Sequence, residues 1–173
     1  MNNLKVLKKT VIESQFYVSL MGTLFSVFFM IEQNTFKFPA VFLIFTTYFS
    51  GYLYTKYQNT IYFNKILIVN ILAGILCVII SIINHDEIHL LKWFTIVILG
   101  LLYNSIFLET HIRKIPLLKV FYVGLVWGLI NSWLAQPQFN APVFFISFLW
   151  VTALILPFDI RDMKSDTIQT FPN

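Results

Sequence analysis

The chain has 173 residues, of which 58% are hydrophobic and 12% charged, against about 25% charged in an ordinary soluble domain. A soluble fold cannot hide that much apolar surface, so the composition calls for a bilayer as solvent. The net charge of +4 is a small basic excess. No basic stripe interleaves with exposed aromatics, which excludes nucleic acid as a partner.

The chain opens with Lys5, Lys8 and Lys9, then the polar stretch Glu13-Ser14-Gln15. No small-residue cleavage site follows the first apolar run, so the first helix is expected to stay in the mature protein. Six apolar runs follow, at 16–31, 38–54, 66–83, 90–108, 117–134 and 143–158. Each is near the roughly 20 residues that cross a hydrocarbon core as a helix. The unbroken apolarity of 66–83 argues against a barrel, whose strands alternate apolar and polar residues. Pro39, Pro116 and Pro142 stand where helices begin, a position that tolerates the missing N–H. Short connections predict antiparallel neighbours.

The predicted fold is therefore all-α, a polytopic transmembrane helix bundle of six spans. It forms a single integral membrane domain over residues 1–173, with no internal repeat. Orientation follows from the 12 basic residues. With a cytoplasmic N-terminus, Lys5, Lys8, Lys9, Lys56, Lys65, Arg113, Lys114, Lys119, Arg161 and Lys164 all fall inside. Only Lys37 and Lys92 fall outside, as the positive-inside rule requires. The expected location is the plasma (inner) membrane of a bacterium, with the C-terminal acidic segment facing the cytoplasm.

Several residues within the spans have plain structural readings. Cys77 lies mid-run and reads as an inert core thiol. Asn70 and Asn131 should face the bundle interior rather than lipid, either bonding across helices or touching substrate. Gly124 and Gly128 form a small-residue face for close helix contact, within the chain rather than between chains. His85-Asp86-Glu87-Ile88-His89 sets two imidazoles four apart, but it is not a His-Glu-x-x-His zinc motif and no third ligand is evident nearby. A polar turn is the favoured reading.

The sixth run leads into Asp159-Ile160-Arg161-Asp162-Met163-Lys164-Ser165-Asp166. Spacings of three and four place Asp159, Asp162 and Asp166 on one face if the helix continues. Three carboxylates so close repel unless a cation neutralises them. Mg²⁺ suits such oxygen donors and commonly bridges to substrate phosphates.

This segment with Phe158 before it and Thr170-Phe171-Pro172 after it resembles the second Asp-rich motif of the UbiA-type membrane prenyltransferase superfamily. Leu102-Tyr103-Asn104-Ser105 and the stretch from Arg113 to Lys119 are similar to the family's connection between its fourth and fifth helices. The resemblance implies the N-terminal two-thirds of a nine-helix fold, because the family has about three more helices after this motif. Two differences accompany it. The family's other Asp-rich motif belongs near the end of span two, where Thr46 to Lys56 carries no carboxylate. Ser165 also stands in place of the family's Gly.

The activity so implied is Mg²⁺-dependent transfer of a polyprenyl group from its diphosphate to an aromatic or other lipid-precursor acceptor. Asp159, Asp162 and Asp166 would hold the metal, with Asp162 and Asp166 as the catalytic pair. Arg161, Lys164, Lys56, Arg113 and Lys114 would bind diphosphate. Tyr48, Tyr52, Tyr54, Trp127 and Trp150 would line the prenyl channel. Without the first motif the chain alone is expected to be inactive. The alternative from another class is a small multipass transporter or a structural membrane protein with an incidental acidic end. A transporter should carry ionisable groups at mid-membrane depth, and the interiors of these spans hold no acids.

Overall fold

The computed structural model describes residues 15–58, 60–103 and 116–169, and the side chains of all but 116, 117, 159 and 161–169 among them. These residues form six α-helices and one π-helical turn, with no strand among them. In chain order they are α1 (Phe16–Glu32), α2 (Phe38–Tyr57), α3 (Phe63–Ile83), α4 (Glu87–Tyr103), α5 (Pro116–Leu129) and α6 (Ala141–Gln169). The π segment Ile130–Leu134 continues α5 directly.

Helix starts follow the prolines. Pro39 sits in the first turn of α2, Pro116 opens α5 and Pro142 is the second residue of α6. Helices α1 and α3 end in the same way. Asn34 and His85 adopt left-handed backbone with φ of 53° and 52°. Behind α1, Thr35 N donates to Met30 O and Asn34 N to Ile31 O; behind α3, Asp86 N donates to Ser81 O and His85 N to Ile82 O. This paired pattern is a Schellman cap, which satisfies the last carbonyls and stops each helix. Asn enters the left-handed region readily. His is also enriched there.

Side chains are distributed the opposite way to a water-soluble fold. Ile68, Ile71, Leu72, Ile75, Ile79 and Ile82 of α3 are exposed, as are Phe145, Ile146, Leu149 and Trp150 of α6. Ser19, Thr23, Ser26, Thr46, Ser81, Asn131, Ser132 and Ser147 are buried. Two helical stretches, Phe63–Ile83 and Ala141–Phe158, are long and apolar enough to cross a membrane. Only 11% and 22% of their most apolar windows are buried within the protein, so neither resembles the core helix of a soluble domain. The apolar centre of the bundle is small, built around Met30, Leu43, Ile44, Tyr48, Trp93 and Ile130.

Glycine sets the tightest helix contacts. A Cβ on Gly124 would collide with Thr152 Oγ1 and lie 3.1 Å from Phe148 O; one on Gly128 would meet the Phe144 ring at 3.0 Å. The expected small-residue face therefore packs α5 on α6 within the chain. Gly22 plays a similar part on α1, where a Cβ would lie 3.0 Å from both Trp127 and Tyr48.

Candidate functional site

Asn131 is the centre of the buried polar structure. It lies in the π segment, fully buried, and a π turn inside an α-helix often marks a functional position. Ala135 N donates to Ile130 O at 2.9 Å, the five-residue spacing of that turn. Ser26 Oγ on α1 donates to Asn131 Oδ1 at 2.5 Å, and Asn131 Nδ2 donates to Ser147 Oγ on α6 at 3.1 Å. One side chain thus joins three helices in a setting with few competing polar groups. Asn70 Nδ2 donates to Ser50 O at 3.2 Å, linking α3 to α2. Both asparagines expected inside the bundle bond across helices.

Beside this node runs a seam of aromatic hydroxyls. The rings of Tyr48 and Trp127 lie 4.6 Å apart, and Tyr103 stacks on Tyr122 at 5.5 Å. Tyr48, Tyr52, Tyr103 and Tyr122 are within electrostatic reach of one another in succession. Tyr122 donates to Leu99 O at 2.7 Å. The Tyr48 hydroxyl is near Ser26 but makes no well-formed hydrogen bond, and Ser132 Oγ and Thr152 Oγ1 are likewise buried without partners. Such groups carry a desolvation cost of about 1–3 kcal/mol each.

Of the five aromatics assigned to a channel, the structure brings Tyr48, Tyr52 and Trp127 into the partly or fully buried interior. Tyr54 packs on Phe63 at 5.5 Å between ring centroids, and Trp150 is 58% exposed on the outside of α6.

The acidic segment extends this architecture. Helix α6 runs without a break through Gln169, past Pro157, so Asp159, Asp162 and Asp166 occupy one helix at spacings of three and four. Their side chains, with those of Arg161 and Lys164, lie outside the described ones, and so do residues Arg113 and Lys114. Lys56 lies in the last turn of α2, exposed, with its ammonium 5.6 Å from the Tyr57 ring centroid. Tyr48, Tyr52 and Lys56 follow one another four apart on α2, hence along one face. Carboxylates spaced along one helix, as on α6, are of the chemistry that would suit Mg²⁺, an ion that keeps several waters and takes phosphate oxygens. Among the described side chains, no three His, Cys, Asp or Glu groups converge to hold a metal.

Lys92 is a group whose role the residue pattern did not reveal. The sequence counts it among the charges on the outer side, at the start of the run 90–108, yet it is only 6% exposed. Its ammonium donates to Trp133 O at 3.1 Å, Gln136 O at 2.8 Å and Pro137 O at 2.9 Å. Nearby, His89 Nδ1 lies 2.5 Å from Asp86 Oδ1, so these two members of the His-Asp-Glu-Ile-His stretch form a local pair; the expected polar turn covers only His85 and Asp86, and Glu87 to His89 open α4 instead. Thr35 Oγ1 donates to Gln136 Oε1 at 2.9 Å from the α1–α2 connection. Cys77 is a free, buried thiol.

No protein-family model, curated protein or solved structure matches the chain.

Proposed function

We propose that the chain is a multi-pass membrane bundle of six spans that binds a lipid diphosphate, with Mg²⁺, at the end where α6 carries its carboxylates. The chemistry is that of a UbiA-like prenyltransferase. The observation that carries this reading is the unbroken helix from the exposed apolar stretch of α6 into the acidic segment. It supports a single rigid face of Asp159, Asp162 and Asp166 at the boundary of the apolar zone.

On this reading the three carboxylates would hold the cation, whose contribution is to neutralise charge gathering on the diphosphate leaving group. Arg161 and Lys164 balance the acids along the same helix. Lys56, Arg113 and Lys114 bring positive charge from the neighbouring connections to the phosphate oxygens. Tyr48, Tyr52 and Trp127 offer aromatic faces along the path a prenyl chain would take and keep water from it. The acceptor is an aromatic or other lipid precursor, and the protein sits in a bacterial plasma membrane; the distribution of basic residues favours an N-terminus inside.

The deciding experiment is magnesium-dependent binding of a non-hydrolysable prenyl diphosphate analogue to the reconstituted chain. Asp162→Ala and Asp166→Ala should each weaken it by at least about tenfold, roughly 1.4 kcal/mol. Binding that is indifferent to magnesium and to both substitutions would leave a helical bundle without this site.

A further inference from the structure

Connections 33–37 and 135–140 meet at one end of the bundle, where Asp86 of a third, 84–86, lies within electrostatic reach of Lys92. The turn after the π segment is their common anchor. Lys92 reaches it from α4 and gives all three ammonium hydrogens to Trp133 O, Gln136 O and Pro137 O. Trp133 O belongs to the last turn of the α5–π helix, where unsatisfied carbonyls gather partial negative charge, and Gln136 O and Pro137 O come from the bend just after it, so a cation is well placed there. Thr35 holds the side chain of Gln136 from the α1–α2 connection, and Asn140 N closes back on Ser132 O at 3.0 Å. Ser132, fully buried with its hydroxyl unpartnered, lies directly behind this turn and next to Asn131.

We infer that Lys92 is a latch that holds this end of the bundle shut, closing the Asn131–Ser132 node to solutes approaching from that side. The inference rests on the membrane-bundle reading above. It extends that reading to access: the interior is served from the carboxylate end alone, as suits an enzyme and not a carrier that must open on both sides. A lysine with every hydrogen committed to backbone carbonyls has no donor left for a ligand. Its role is to position the turn, and opening that end requires all three bonds to part together.

Thiol accessibility in nanodiscs tests this, with Cys77→Ser as background and a membrane-impermeant maleimide as probe. Ser132→Cys should react at least about 100-fold more slowly than Gln138→Cys on the exposed loop, as expected for a site reached only by local opening. Lys92→Met should raise the Ser132→Cys rate about tenfold or more, while Ser50→Cys, on α2 toward the opposite end, keeps its rate. Thr35→Val removes the second tie to the same turn and should raise the rate about threefold, which decides the matter if Lys92→Met does not yield folded protein. The latch is overturned if Ser132→Cys labels as fast as Gln138→Cys with Lys92 intact. It is equally overturned if neither Lys92→Met nor Thr35→Val changes the Ser132→Cys rate. Alkaline extraction separates the two readings: release of the chain from membranes refutes the bilayer assignment, whatever the labelling shows.

Discussion

At one end of the bundle a charged side chain is absorbed into the backbone. At the other, an apolar helix continues into a charged stretch of sequence. Lys92 ends on three carbonyls and is almost fully buried, whereas Lys56 lies exposed in the last turn of α2 and α6 carries its Asp residues around and beyond the last exposed apolar side chains, Phe158 and Ile160. The same residue class serves two purposes because the partners differ. Main-chain carbonyls of a fixed turn make a cation structural. Carboxylates spaced along one helix would, on the proposed function, leave charge for a cation to meet. Polar groups near a membrane are thus informative only with their acceptors named.

Substitutions can sharpen this contrast. The largest effect on folding should come from Gly124→Leu, since even a Cβ there collides with Thr152 and crowds the Phe148 carbonyl. A loss of about 3 kcal/mol or more is expected in detergent unfolding, at the upper end for overpacking. Lys92→Met should cost about 2–4 kcal/mol, because one buried and two part-buried carbonyls lose a charged donor whose bonds are worth roughly 1.5–3 kcal/mol each before the carbonyls relax. Asn131→Leu should cost about 1–2 kcal/mol, since Ser26 and Ser147 would both lose their partner, and cross-helix bonds within a bilayer are of that size.

Asp162→Ala, at the other end, should leave unfolding within about 0.5 kcal/mol of the parent while removing magnesium-dependent diphosphate binding. A large stability loss there would make the acidic segment structural and erase the difference between the ends. Smallest of all is Leu72→Ala. This side chain is 61% exposed on α3, and the expected change is under about 0.5 kcal/mol in the same unfolding measurement, with binding untouched.

Much of the helical layout was legible in the sequence. The apolar runs at 16–31, 38–54 and 66–83 became α1, α2 and α3 with ends shifted by three residues or fewer, because apolar length and proline placement act locally. The inward placement of Asn70 and Asn131 was legible for a related reason, as an amide in an apolar run has few options but a neighbouring helix. Lys92 was not legible. Its acceptors are backbone carbonyls more than 40 residues away, and no side-chain pattern announces them. The aromatics divided for the same reason. Composition told that Tyr and Trp were plentiful, but helix rotation decided that Trp127 turns toward Tyr48 and Trp150 turns outward. The carboxylate spacing was plain in the sequence, and the backbone of that segment is helical, while its acidic side chains lie outside the described ones.

The π turn at Ile130–Leu134 acts as a phase shifter in the α5–α6 hairpin. A stretch bonded at five residues instead of four contains one residue more than the α-helix needs to cover the same ground. Removing one residue there would return the stretch to ordinary winding and swing the downstream loop by about 100°. Gln136 and Pro137 would then rotate off the Lys92 ammonium while the glycine contacts between α5 and α6 resisted the turn. A single-codon deletion in this stretch should be far more damaging than any substitution of its apolar members.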